Sequence, residues 1–176
     1  RFSKTKNGLF VLREKQVFKY SINSQETKVT DLIKTTENEK LYVSEDNDMF
    51  IYDKAVEKIN KNGNRKAIIK FKKPISTIFS KGDNLFISFK HSGLVYHNLK
   101  TNKTTDYRKN RLLSRNLPAG ATSFHLEGKK LWLGNDESGL YELDVTNIES
   151  PKLVQHHTYN KTNPKSFSSS SVSCIT

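Results

Sequence analysis

The feature that most constrains this chain is a turn leading into an apolar strand, which occurs four times. The copies are Asn7-Gly8-Leu9-Phe10-Val11, Asp48-Met49-Phe50-Ile51-Tyr52, Ser92-Gly93-Leu94-Val95-Tyr96 and Ser138-Gly139-Leu140-Tyr141-Glu142. Glycine stands at 8, 93 and 139, and Asp48 replaces it in the second copy, giving spacings of 40, 45 and 46 residues. Glycine suits the position because a tight turn between strands needs φ > 0, which glycine reaches without steric cost. The turn at Asp48 is therefore expected to differ.

Other strand signals keep a fixed order around this turn. Upstream of each copy lie Phe2-Ser3-Lys4-Thr5, Leu41-Tyr42-Val43-Ser44, Leu85-Phe86-Ile87-Ser88 and Leu131-Trp132-Leu133-Gly134. Further upstream an apolar-x-x-apolar element recurs at Val29 and Leu32, Ile75 and Ile78, Ala121 and Phe124, and Val172 and Ile175. A weaker strand follows each turn strand, at Val17–Tyr20, Ile68–Phe71, Thr104–Tyr107 and Leu153–His156. Four short strands in roughly 40–50 residues make one propeller blade. No amphipathic helix of useful length competes with this pattern.

The predicted fold is all-β: a β-propeller segment of four-stranded antiparallel blades, three whole and one split. The predicted boundaries are 1–28 for the end of a blade, then blades at 29–74, 75–120 and 121–171, with 172–176 as the first strand of the next. Such a segment is expected to belong to a larger, seven-bladed propeller. The strand at 172–176 could alternatively pair with residues 1–20 and close a small ring.

Composition agrees with short, half-exposed strands. Hydrophobic residues make up only 34% and mean hydropathy is −0.69, yet aromatics reach 10%, which excludes the disordered class. The single cysteine, Cys174, excludes an internal disulfide framework. Net charge is +12, and between Lys58 and Thr105 Asp83 is the only acidic residue among eleven lysines and arginines. Such a stretch gives a solvated basic face or a surface that attracts anions.

The run Leu131-Trp132-Leu133-Gly134-Asn135-Asp136-Glu137-Ser138-Gly139-Leu140-Tyr141 resembles the two-component regulator propeller repeat. His157-Thr158-Tyr159-Asn160, Asn163-Pro164-Lys165-Ser166-Phe167 and Ser171-Val172 resemble that family's linker between blades. The first three copies lack the tryptophan and carry Phe2, Tyr42 and Phe86 instead. The resemblance implies the periplasmic sensor region of a bacterial hybrid two-component histidine kinase, which signals as a dimer of the full-length protein. It also implies an oligosaccharide ligand and a segment that is itself non-catalytic, with membrane contact only through other segments.

No catalytic constellation, metal set or cofactor motif is legible. Adjacent His156 and His157 should point to opposite strand faces, poor geometry for one metal. Asp136-Glu137 reads as a solvated turn, and Trp132, like Phe86, as packing between blades. Ligand contacts are expected on the face built by the turn and linker loops. The candidates there are Lys4, Lys6, Lys90, His91, Arg108, Lys109, Arg111 and Arg115. Guanidinium donors suit carboxylate or sulfate, so an acidic or sulfated oligosaccharide is the expected partner. Nucleic acid is not expected. The competing readings are a basic polyanion-binding propeller module and a fragment of a polysaccharide-degrading propeller enzyme.

Overall fold

A computed structural model describes residues 2–5, 8–22, 27–60, 62–167 and 169–175. It divides into two compact units, Arg1–Pro74 and Ile75–Thr176. Each unit carries two four-stranded antiparallel sheets whose strands follow chain order, so the fold is all-β and blade-like throughout.

In the first unit, β1 (Phe2–Thr5), β2 (Gly8–Arg13), β3 (Gln16–Ile22) and β4 (Thr27–Lys34) form one sheet. β5 (Lys40–Val43), β6 (Met49–Tyr52), β7 (Ala55–Ile59) and β8 (Arg65–Lys70) form the other. The strand order here departs from the one expected from the repeat. Val29 lies in β4 opposite Tyr20, so this element ends the first sheet and does not open the second. The expected boundary at 28/29 falls inside β4, and the described residues form four four-stranded sheets in place of three whole and one split.

The second sheet gains its missing strand from Ala55–Ile59, reached by a tight turn at Asp53-Lys54. Its charged residues mask a strand whose Val56 and Ile59 are fully buried. The two sheets of this unit share a core of Phe10, Val17, Val43, Met49, Ile51 and Ile59. The Asp48 turn does differ from the glycine turns: Asn47 takes the positive φ of 64° and Asp48 N–H donates to Ser44 Oγ at 3.1 Å.

In the second unit, β9 (Thr77–Lys81), β10 (Asn84–Phe89), β11 (Gly93–Asn98) and β12 (Thr104–Asp106) form one sheet. β13 (Ser123–Glu127), β14 (Lys130–Asn135), β15 (Gly139–Asp144) and β16 (Lys152–His157) form the other. The turn glycines take φ of 77° at Gly93 and 94° at Gly139. Phe86 is buried against Phe79 on its own sheet and Phe124 of the next, with Phe86 and Phe124 centroids 6.2 Å apart. This aromatic seam joins the two sheets, and burying such a ring contributes on the order of 1.5–3 kcal/mol. Trp132, at the equivalent strand position, is only half-buried.

Between β12 and β13 the chain makes a single 3-10 turn at Tyr107–Lys109 and a short helix, α1 (Arg111–Asn116). Val172–Ile175 is irregular, not a strand. Val172 nevertheless docks on the fourth sheet, its N–H donating to Asn135 O at 2.8 Å.

Candidate functional site

The site is built from the linker after β12 and from the turns that follow β10 and β14. Tyr107 anchors the linker. Its ring is buried and its hydroxyl donates to Ile148 O. Burial, then the nearby Tyr96 and Glu149, push the phenol well above its ordinary pKa, so it stays a donor. Asn110 Oδ1 accepts from Leu113 N–H at 3.2 Å at the start of α1.

Beyond the helix the segment Leu117–Ala121 is fastened to both sheets. Gly93 N–H donates to Ala119 O at 2.5 Å, and Ala121 N–H donates to Ser88 Oγ at 2.7 Å. From the fourth sheet Asn135 Nδ2 donates to Gly120 O at 2.7 Å. Gly120 packs so closely on the third sheet that a Cβ would lie 2.5 Å from Phe89 O.

This strap separates two cavities. The larger, about 450 Å³, lies between the strap and the two turns. Ser76, Thr122 and Ser138 line it with hydroxyls, Lys90, Asp136 and Glu137 with charge, and Leu117, Pro118 and Tyr141 with apolar surface. The smaller, about 280 Å³, lies under the linker against Leu94, Tyr107 and Arg108. His91, at a positive φ of 53°, lines both.

Asn135 organises the turn. Its Oδ1 accepts from Glu137 N–H at 2.8 Å, Ser138 N–H at 2.7 Å and Ser138 Oγ at 2.7 Å. This is an Asx turn, and the local signal was an asparagine opening the polar run Asn135-Asp136-Glu137-Ser138 before a glycine. Sequence position alone puts Asn135 in a face loop and does not reveal this role.

The cationic candidates do not converge. Lys90 and His91 are exposed on the cavity rim. Arg108 reaches the smaller cavity, but its Nε and Nη2 donate to Asp106 at 2.7 and 2.6 Å, and its guanidinium covers the Phe89 ring at 5.1 Å. Burial raises the Asp106 pKa, yet hydrogen bonds and charge from Arg108, with Lys109 beyond, hold it below its ordinary value overall. Lys109, Arg111 and Arg115 are exposed and line neither cavity. Lys6 and the Lys4 side chain lie outside the described residues.

His97, His156 and His157 serve packing. His97 is buried with Nδ1 2.8 Å from Thr104 Oγ1. His156 stacks on Tyr141 at 4.0 Å, and His157 stacks between Trp132 and Phe167.

No protein family matches the sequence, and no curated protein matches it. Solved structures do resemble the fold. The extracellular domain of a hybrid two-component system from B. thetaiotaomicron superposes with a TM-score of 0.62 at 16% identity, covering 98% of this chain and 23% of that one. The N-terminal domain of Nup159 gives 0.61 at 14%, covering 89% and 43%. PorZ of Porphyromonas gingivalis gives 0.54 at 10%, covering 88% and 22%. This chain therefore spans less than half of each, and the likeness is one of propeller-type blades.

Proposed function

We propose that this chain is a ligand-binding, non-catalytic propeller segment of an extracytoplasmic sensor, and that an oligosaccharide occupies the cavity between the strap and the turns. The observation that carries the reading is the cavity itself. Loops from two neighbouring sheets frame it, and hydroxyls, charges and an aromatic ring line it, as a polyhydroxylated ligand requires. The likeness to an extracellular domain of a hybrid two-component system supports the sensor role and a periplasmic or extracellular location. No helix among the described residues is long and apolar enough to cross a membrane. In this reading, membrane contact and dimerisation belong to the full-length sensor.

A non-catalytic role is supported by the carboxylates of the cavity. Asp136 and Glu137 are adjacent in one turn, whereas glycoside hydrolysis needs two carboxyl groups flanking the bond. The acidic or sulfated sugar expected from the basic linker draws less support than a neutral one. Arg108 is already paired with Asp106, and two carboxylates oppose Lys90 in the wall. Calorimetric titration with neutral and sulfated pentasaccharides tests this. Neutral sugars should bind, and Ala119→Trp, which fills the cavity rim, should abolish binding. Tighter binding of the sulfated sugar would reverse the charge assignment, and no saccharide binding would defeat the reading.

A further inference from the structure

We infer a second saccharide subsite on the loop after β16, so that one extended oligosaccharide spans both positions. This inference rests on the function just proposed and concerns a surface on the other side of the Tyr141–His156 stack.

The loop residues 158–167, with Ser170, are held by hydrogen bonds among themselves. Tyr159 and Phe167 form a parallel bridge. Ser166 Oγ receives Asn160 N–H at 3.0 Å and donates back to Asn160 O at 2.9 Å. Thr158 and Ser170 hydroxyls meet at 2.8 Å. The loop encloses a cavity of about 300 Å³ against the end of β16.

His157 and Phe167 line this cavity and continue a ring ladder that starts behind it at Trp132. Trp132 stacks on His157 at 6.2 Å, and His157 stacks on Phe167 at 5.7 Å with 23° between planes. Phe167 is still 37% exposed, so a ring fixed from beneath offers its uncovered side to solvent. The C–H face of a pyranose fits such a surface.

The rim is rich in donors. Asn160 Oδ1 is occupied by Thr162 N–H and Oγ1, and Asn163 Oδ1 by Lys165 N–H. Among the described residues neither asparagine's side-chain NH2 has a partner, and the Lys165 ammonium is exposed. These groups donate to acceptor oxygens, which ring and hydroxyl oxygens of a sugar supply.

Contiguity with the first site comes from Tyr141 and His156. Tyr141 lines the larger cavity, His156 lines this one, and their rings stack face to face at 4.0 Å. A ligand crossing this aromatic pair contacts both sites.

The sole tryptophan, Trp132, lies two rings below the proposed platform and serves as the reporter. The full chain is titrated by fluorescence with the disaccharide and pentasaccharide of the β-1,3-glucan, β-1,4-glucan and α-1,4-glucan series. At least one pentasaccharide should bind more tightly than its disaccharide and change the Trp132 emission. Phe167→Ala should weaken that pentasaccharide by about five- to tenfold and leave the disaccharide unchanged, with Phe167→Tyr restoring it. Asn163→Asp keeps the oxygen that accepts Lys165 N–H and removes the NH2 donors, so it should weaken the pentasaccharide alone and decides the matter if Phe167→Ala disturbs the loop. Pentasaccharide affinity that survives both Phe167→Ala and Asn163→Asp overturns the second subsite and leaves the first intact. Absence of binding by every sugar overturns both.

Discussion

Asn135 Nδ2 donates to Gly120 O at 2.7 Å, joining the turn of the fourth sheet to the strap that crosses from the third. The same side chain accepts three bonds through Oδ1, so one buried amide holds both walls of the larger cavity. Asn135→Ala leaves these partners unsatisfied and should cost about 1–3 kcal/mol in chemical denaturation. Saccharide affinity should fall further than stability alone accounts for, because the turn loses its shape. Unchanged denaturation and binding would show that the turn holds itself.

The turn glycines separate two physical demands. A Cβ at Gly139, with φ of 94°, would lie 2.2 Å from His157 O, whereas one at Gly128, with φ of 55°, meets nothing within 4 Å. Gly128→Ala should therefore cost about 1 kcal/mol from backbone strain. Gly139→Ala adds a backbone collision and should cost at least twice as much, read as a larger drop in the denaturation midpoint. Equal costs would mean that the strand β16 yields freely.

Phe86 and Trp132 occupy one repeat position in unlike surroundings. Phe86 is closed in by Phe79, Phe124 and Tyr96, while Trp132 is half-buried beside Lys130 and His157. Phe86→Ala should cost about 3–5 kcal/mol. Trp132→Ala should cost clearly less despite removing the larger ring. Thermal unfolding of the two variants settles the order.

Acid should destabilise the chain in two windows. Burial holds the His97 pKa below its usual 6.5, so the unfolded chain takes up a proton that the folded one refuses. Its contribution is present above about pH 6.5 and declines as pH falls toward the folded value. Asp106 has a folded pKa below 3.8, and its contribution is lost only as pH drops through that lower value. His97→Gln should flatten stability below pH 6.5, and Asp106→Asn should flatten only the more acidic limb. A His97→Gln profile parallel to wild type would place the titration elsewhere.

Much of the fold is legible because it is local. The turn glycines at 93 and 139, and the aromatic seam at Phe86, follow from steric and packing rules acting over a few residues. The ownership of β4 is different. Thr27–Lys34 is an adequate strand whichever sheet receives it, and pairing with β3 decides the matter. The strand Ala55–Ile59 escapes sequence reading for a related reason. Glu57 and Lys58 interrupt its apolar pattern, and only the folded chain shows Val56 and Ile59 buried, Ile59 in the shared core.

The candidate site divides in the same way. Its loops, around Lys90, Asn135 and the linker, follow from the repeat by itself, because a turn's place in a blade is set by strand order. Which side chains meet there is decided only by tertiary structure. Arg108 is lost to Asp106, Lys109, Arg111 and Arg115 line neither cavity, and Asn135 becomes the organiser. The physical reason is range. Strands and turns are encoded by neighbours in sequence, whereas ion pairs, ring ladders and cavities depend on which loops packing brings within a few ångströms.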